Sequence, residues 1–581
     1  MNRQIASLAD QVFDLVVIGG GIFGICTAWD ATLRGLSVAL LEKGNFSHAT
    51  SANCFKMVHG GVRYLQHGDF IRLRQSSQER SAFLRVAPHL VRPLPIAIPT
   101  FGHGMQGKEL LGPGLTVYDL LTADRNRGIS DPSRHIPQWE SLSREEVLQE
   151  FPGIDPHELT GAAVFHDGQM YNPARLALAF LRAAVERGAK AANYLEATGI
   201  LHQAGHVMGV KARDVLTGAE MEIRGRYVVN VAGPWAERLL SQQKELSLPH
   251  RATFSRDACF VVLRALLGSR ALAVLGGTKD PDAMLSRQAR HLFLVPWRDY
   301  TLVGVWHVVH AAAPDQFTVT EDDLQAFIRE INQSDPPLGL TIDDVCMWNA
   351  GLVLFGENRP GAVHLSYGKR SKIVDHKKEH DIDGLITLVG VRYTTARSEA
   401  ERVVDMFFDK MGKTSPKCLT ASTPVFGAQF DTMDSLRKHV QADCGIGRGD
   451  GIVTSLSQNY GSAYSAVLKY VEEDASWGEA FTGTHVLKAE VVHAVREEMA
   501  VKLSDVVFRR TDLGTGGRPP EESLAACADV MAKEMKWDVA RAGKELAEVQ
   551  SGFLSFCARA RSSRSVRESM SLRTSRASRQ S

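Results

Sequence analysis

The segment FDLVVIGGGIFGICTAWDATLRGLSVALLE (Phe13–Glu42) restricts the fold more tightly than any other part of this chain. Phe13–Ile18 is a short apolar run with two valines and reads as a buried parallel strand. Gly19, Gly21 and Gly24 follow in G-x-G-x-x-G spacing. The first glycine permits a tight turn, the second lets the backbone approach a pyrophosphate, and the third lets the next helix pack closely on the strand. A helix is expected over Ile22–Leu33, capped by Gly35, and then a strand over Ser37–Leu41. Glu42 ends that strand, where a carboxylate can accept ribose hydroxyls. Pyrophosphate charge would sit on the helix N-terminus. Strand, helix, strand and acid in this order specify a dinucleotide site, although the acid alone does not separate FAD from NAD.

A chain of 581 residues is expected to hold two or three domains. Its apolar (44%) and charged (23%) fractions are those of a globular protein, and a formal net charge of +1 gives no reason to expect nucleic acid as a partner. The start, MNRQIASLADQ, lacks the basic and apolar pattern of a secretory signal, and no apolar run approaches the roughly 20 residues of a membrane span. Eight scattered cysteines without a C-x-x-C pair argue against a zinc site or a disulfide framework, so no metal is expected and the cytoplasm is the expected compartment. Gly102–Gly114 is glycine-rich and reads as a mobile loop. The Ser- and Arg-rich end, 556–581, is expected to be a disordered basic tail, either simply solvated or in contact with an acidic surface such as anionic lipid.

Directly after the fingerprint come Ala49-Thr50-Ser51, Lys56, His59-Gly60-Gly61 and Arg63-Tyr64-Leu65. This pattern closely resembles the flavin-contacting segment of FAD-dependent glycerol-3-phosphate dehydrogenases, which belong to the glutathione-reductase-type and D-amino-acid-oxidase-type flavoproteins. The resemblance continues through GRYVVNVAGPWAERL (Gly225–Leu239), FLVPWRDYTLVGV (Phe293–Val305), LITLVGVRYTTARSEAERVVD (Leu385–Asp405) and FRRTDLG (Phe508–Gly514). It implies an α/β fold: a doubly wound, Rossmann-like FAD-binding domain (10–95, 155–245 and 360–412) interrupted by an α+β substrate domain with an antiparallel sheet (96–154 and 246–359). An all-helical C-terminal domain (425–555) follows. The implied FAD contacts are Gly19, Gly21, Gly24, Glu42, Thr50, Ser51, Lys56, His59, Gly60, Gly61, Ala232, Gly233, Gly390, Thr394 and Thr395. Residue chemistry agrees in places. A strand over Arg226–Val231 ends in small residues that admit a cofactor, and Thr394 and Thr395 head a helix over Ala396–Phe408 whose N-terminus suits a negatively charged flavin ring. Thr394 could equally be a plain N-cap.

The resemblance also implies oxidation of sn-glycerol 3-phosphate to dihydroxyacetone phosphate by hydride transfer from C2 to flavin N5, with a quinone or another electron acceptor. Such a transfer needs the reacting atoms roughly 3–3.5 Å apart. A phosphate dianion calls for arginines, whose guanidinium forks bind it bidentately. Arg63, Arg359, Arg370 and Arg392 are the candidates, with Tyr64 beside them. Departures from the family pattern gather on this substrate side. Val353 stands where an arginine is usual, Arg392 where a lysine is usual, Cys259 where a histidine is usual, and Val305-Trp306-His307 where Thr-Thr-Asp is usual. His307 becomes a candidate general base, since imidazole titrates near neutral pH; a strand-end histidine without a catalytic role is the other reading. The departures leave a second function open: an oxidase or dehydrogenase of a different small anionic alcohol or amine, using oxygen. A non-catalytic FAD-binding module is a third. Helical patterns are expected over His485–Arg510, Glu521–Met535 and Val539–Ser551. In the family this region is associated with dimer or membrane-surface contact, so a homodimer and peripheral attachment to the inner face of the membrane are implied partners.

Overall fold

A computed structural model of the protein describes residues 1–102, 108–241, 254–262, 265–279, 289–334, 336–354, 370–445 and 449–556. Its first sheet runs Lys372–Asp375, Leu385–Val389, Glu220–Asn230, Val12–Ile18, Val38–Leu41 and Lys190–Ala192 in spatial order. The pairings from Leu385–Val389 to Lys190–Ala192 are parallel. Parallel strands are covered on both faces and so must be apolar throughout, as LVVI (15–18) and VALL (38–41) are. Helices Ile22–Leu33, Pro173–Glu186 and Ala396–Lys410 bury their apolar residues in one core against this sheet. A three-stranded antiparallel ribbon, Leu195–Gln203, His206–Asp214 and Glu220–Asn230, covers the other face.

The second sheet runs Val345–Leu354, Phe254–Val262, Tyr300–His310, Ala289–Trp297, Ala271–Lys279, Val91–Phe101, Leu159–Met170 and Met57–Val58. It is antiparallel apart from the junction of Val91–Phe101 with Ala271–Lys279. Pro93, Pro95 and Pro99 explain that weak junction. They lie an even number of residues apart, so their missing N–H groups fall on one edge of the strand. The opposite edge makes a full ladder with Leu159–Met170, whereas the blank edge pairs only at Ile96 and Ala97. Because Leu159–Met170 and Met57–Val58 belong to this second sheet, the chain returns to the first only at helix Pro173–Glu186. That return comes later than residue 155, the position expected from the resemblance. A longer ladder with the proline strand holds 159–170 in the second sheet.

Two further expectations are corrected. Residues 108–114, read as part of a mobile loop, begin the helix Lys108–Leu121, which accommodates Pro113 in its first turns. The single helix expected over His485–Arg510 breaks at Glu498–Lys502, after Lys488–Glu497. Glu498 leaves the helix because its carboxylate is fully buried between Arg175 (2.6 Å) and Arg182 (3.2 Å) on helix Pro173–Glu186, and Met499 takes a positive φ to allow it. Helices Glu521–Met535 and Val539–Phe556 form where expected. The tail beyond 556 lies outside the described residues, as does Arg359.

Glu490, in the same helical region, is buried, and its carboxyl accepts the Tyr460 hydroxyl (3.1 Å) and the Leu487 N–H (2.9 Å). Burial pushes its pKa up to about 8. A carboxyl whose folded pKa is raised contributes stability that is complete below its unfolded value of 4.5 and is lost as pH rises to about 8. Glu490→Gln, which keeps a neutral side chain at every pH, is therefore expected to raise stability at pH 8 by a few kcal/mol and to change little at pH 4.5. Urea unfolding at the two pH values checks this; an equal effect at both would exclude a buried neutral carboxyl.

Candidate active site

A cavity of about 1130 Å³ runs from the carboxyl ends of the first sheet's strands to the face of the second sheet. Gly19, Gly21, Glu42, Thr50, Ser51, His59, Gly61, Arg63, Tyr64, Ala232, Gly233, His307, Gly390, Arg392 and Thr394 all line it. The structure thus brings together most of the residues singled out in the sequence.

At one end lies the fingerprint. Gly19 has φ +110°, and a Cβ there would stand 2.6 Å from the Val231 carbonyl oxygen. Gly24 does not line the cavity: a Cβ on it would come 1.9 Å from the Gly19 carbonyl oxygen, so its role is helix-to-strand packing. Gly21 differs, since the nearest atom to its notional Cβ is Ser51 Oγ at 3.2 Å. Protein packing alone does not demand a glycine there, and a ligand approaching the backbone does. Ser51 Oγ accepts the Ile22 N–H at the helix start (3.0 Å), and Glu42 accepts the N–H groups of Gly20 (2.7 Å) and Gly44 (2.8 Å). A bare glycine cradle at a helix N-terminus, a terminal carboxylate and an elongated cavity together fit an FAD molecule.

One exposed cluster ties together the wall at this end. Asp315, in the turn Pro314–Gln316 that follows strand Tyr300–His310, accepts Trp235 Nε1 (2.7 Å), pairs with Arg238 and lies 3.9 Å from Lys43, whose ammonium sits 4.0 Å from the Trp235 ring centroid. Lys43, Trp235 and Arg238 all line the cavity. Exposed pairs are worth at most about 1 kcal/mol and are screened by salt. Asp315→Ala is accordingly expected to speed FAD release by roughly fivefold at low salt, with the difference vanishing at high salt. Recovery of flavin fluorescence after dilution measures it, and a salt-independent change would rule out the ionic strap.

The other end is cationic. Arg63, Arg72, Arg290 and Arg392 line it, with His291 and His307. Arg392 and Arg72 lie over the Tyr64 ring, 5.1 and 4.8 Å from its centroid. Burial, together with the charges of Arg72 and Arg63, holds the Arg392 pKa below the usual guanidinium range. Burial, with Arg63 nearby, pushes His291 down to about 4, so it is neutral at pH 7. Val353 also lines this end, leaving an apolar wall where an arginine is usual in the resembling family. His307 faces in, with Ser255 Oγ 3.5 Å from its Nδ1.

His59 is placed differently. Its Nδ1 lies 3.2 Å from Asp167 Oδ2, and the other carboxylate oxygen accepts the Gly60 N–H at 2.6 Å. Arg80, fully buried, stands 3.3 Å from the same oxygen and bonds Tyr118. Burial alone would raise the Asp167 pKa, but the hydrogen bond and charge of His59, Arg80 and the Gly60 N–H outweigh it and hold the carboxyl below its usual range. Asp167 therefore stays ionised and fixes the imidazole. Sequence reasoning missed Asp167, Arg80, Arg290 and His291. The only signal for Asp167 was a buried acid in the polar second half of the strand Leu159–Met170, beside His166 and Gln169.

The expectations for Lys56, Gly60, Thr395 and Arg370 are revised. Lys56 does not line this cavity: Phe55 and Met57 do, and Lys56, at a bend with a left-handed backbone (φ +62°), turns away from it and donates to Asn349 Oδ1 at 2.6 Å. Gly60 is back from the cavity; a Cβ on it would meet Arg80 at 2.1 Å. Thr395 is the N-cap position of helix Ala396–Lys410 and its hydroxyl bonds the Arg392 carbonyl, outside the lining. Thr394 makes no cap; its hydroxyl accepts the His59 N–H at 3.1 Å. Arg370 is exposed and outside the lining, its charge felt at Asp69 and Glu399. Cys259 is buried within its strand, opposite Asn349, and likewise stands outside the lining.

Comparison with known proteins agrees with this geometry. Residues 14–369 match the family model of FAD dependent oxidoreductases, and residues 418–542 match that of the C-terminal domain of alpha-glycerophosphate oxidase. A glycerol-3-phosphate dehydrogenase of Synechocystis sp. is 28% identical over 530 residues, covering 88% of this chain and 90% of that protein. The aerobic glycerol-3-phosphate dehydrogenase of Bacillus subtilis is 29% identical over 551 residues, covering 92% and 94%. Among solved structures, the glycerol-3-phosphate dehydrogenase from Bacillus halodurans complexed with FAD superposes with a TM-score of 0.72 at 25% identity, covering 95% of this chain and 96% of that one.

Proposed function

The chain belongs to the FAD-dependent oxidoreductase family, and we propose that it oxidises sn-glycerol 3-phosphate to dihydroxyacetone phosphate. The observation that carries this reading is one cavity holding the glycine cradle at one end and, at the other, four arginines and an oriented histidine. FAD, when bound, supplies the hydride acceptor. Residues Gly19, Gly21, Glu42 and Ser51 would hold its phosphates and ribose, and the Thr394 and Gly390 region its ring. Arg63, Arg290 and Arg392 bind the phosphate dianion through charge-assisted hydrogen bonds. His59 takes the C2 hydroxyl proton at Nε2 while Asp167 secures the other ring nitrogen. Arg392 stays protonated and serves binding, not proton removal.

Electrons leave to a quinone-class acceptor. Phe70 and Val117 are half-exposed at the cavity rim, and Ile71 (77% exposed) and Leu120 (73%) extend the same two helices outward, an apolar surface that supports approach of such a molecule from a membrane surface. Among the described residues no helix is long and apolar enough to cross a membrane. Val353 favours the second reading, a different small anionic alcohol or amine with oxygen as acceptor, since it removes one phosphate ligand. Anaerobic mixing of the yellow protein with sn-glycerol 3-phosphate decides: saturable bleaching near 450 nm supports the first reading, and an unbleached flavin sinks it. Peroxide on admitting air would identify oxygen as the acceptor.

A further inference from the structure

A second cavity, of about 80 Å³, lies where the two sheets' units and the C-terminal helices meet. Its walls include His48, Asn53 and Lys56 from the loop after the fingerprint, Trp297 and Asn349 from the second sheet, and Arg509 from the C-terminal part. Among the described residues no acidic side chain lines it. Lys56 is 3% exposed, yet its ammonium, with three donors, has one hydrogen-bond acceptor among the described residues, Asn349 Oδ1, and a ring face of Trp297 at 4.8 Å. Neighbouring amide oxygens are already engaged: Asn53 Oδ1 accepts from Asn349, and Asn172 Oδ1 accepts from the N–H groups of Ala174 and Arg175. Arg509 pairs with Asp505 through its far end, but its Nε is buried without a hydrogen-bond partner among the described residues. A buried ammonium without a counter-charge is costly, and two cationic groups facing one small void make an anionic occupant favourable.

We propose that this cavity is a binding site for a small monovalent inorganic anion of the chloride class, held by Lys56 Nζ and Arg509 Nε. A void of this size admits a halide or a few waters and excludes a phosphate ester. Occupancy links the Thr50–Lys56 loop, whose opposite side shapes the FAD cavity, to the C-terminal helices. The ion acts as a structural ligand whose binding adds to the stability of the native state.

The test is thermal unfolding of the FAD-loaded protein in sodium gluconate against sodium chloride and sodium bromide at constant ionic strength, together with bromide anomalous scattering from crystals. The expected result is a midpoint that rises saturably with halide, an anomalous peak between Lys56 and Arg509, and loss of the halide dependence in Lys56→Met. Equal midpoints in gluconate and chloride with no peak in this cavity would overturn the proposal, as would a halide dependence that survives in Lys56→Met. If the variant does not fold, the bromide peak in the unmodified protein decides alone.

Discussion

His59→Asn yields a yellow protein that binds substrate normally and reduces its flavin about 10²–10⁴ times more slowly, the range expected when a general base is removed. Asparagine preserves size and a hydrogen bond to Asp167, so the cavity persists while the proton acceptor disappears. Asp167→Asn should act in the same direction, because an amide can no longer hold the imidazole in a single tautomer or stabilise its protonated form. Its effect is expected mostly in kcat, with KM changed little, since Asp167 lies behind His59 and the arginines of the phosphate end are untouched. Single-turnover bleaching under anaerobic conditions reads both variants. A His59→Asn rate within threefold of the unmodified protein would remove His59 from the mechanism and return His307 to consideration.

The second large effect concerns two glycines three residues apart. Gly24→Ala places a methyl group 1.9 Å from the Gly19 carbonyl oxygen, so helix Ile22–Leu33 must move off its strand. Overpacking of this kind costs roughly 1–3 kcal/mol or more, and here it also displaces the turn that cradles the cofactor. The protein should purify colourless and with a lowered unfolding midpoint. Gly21→Ala meets nothing closer than Ser51 Oγ at 3.2 Å, so the apoprotein should keep its stability while losing FAD affinity by about a hundredfold or more. Titration of the two apoproteins with FAD, beside their unfolding curves, separates a packing glycine from a ligand-facing one. Equal loss of stability in both would refute that division.

That division was readable from spacing, because the roles in the fingerprint are set by local geometry within one strand–turn–helix. Glu42, Ala232, Gly233 and Gly390 were readable for the same reason: each ends a buried parallel strand, and ligands gather at those ends. Asp167 was not readable. It gains its meaning only when strand Leu159–Met170 pairs with Met57–Val58 and brings it under His59, and no local pattern encodes that pairing. Lys56 was misplaced because its neighbours in sequence face the cavity, while its own left-handed backbone (φ +62°), which no local pattern announces, turns its side chain to the smaller cavity. Arg290 and His291 sit in the same strand just ahead of the FLVPWRDYTLVGV motif, and no spacing pattern marks them. The break at Glu498 follows from two arginines on a distant helix, a tertiary demand that overrides helical periodicity.

The order of strands in the first sheet also has a bearing on how the chain is made. Val12–Ile18 pairs with Glu220–Asn230, which in turn pairs with Leu385–Val389, and Thr394 completes the loop that carries His59. A ribosome working at about 5–20 residues per second leaves the apolar strands of the first hundred residues waiting roughly 20–75 s for their last neighbour. During that interval the nascent dinucleotide unit is an open-edged, sticky intermediate, and the flavin cannot be captured until about two-thirds of the polypeptide has emerged. Expression yield should therefore depend on chaperone supply and translation speed more than on the stability of the finished fold.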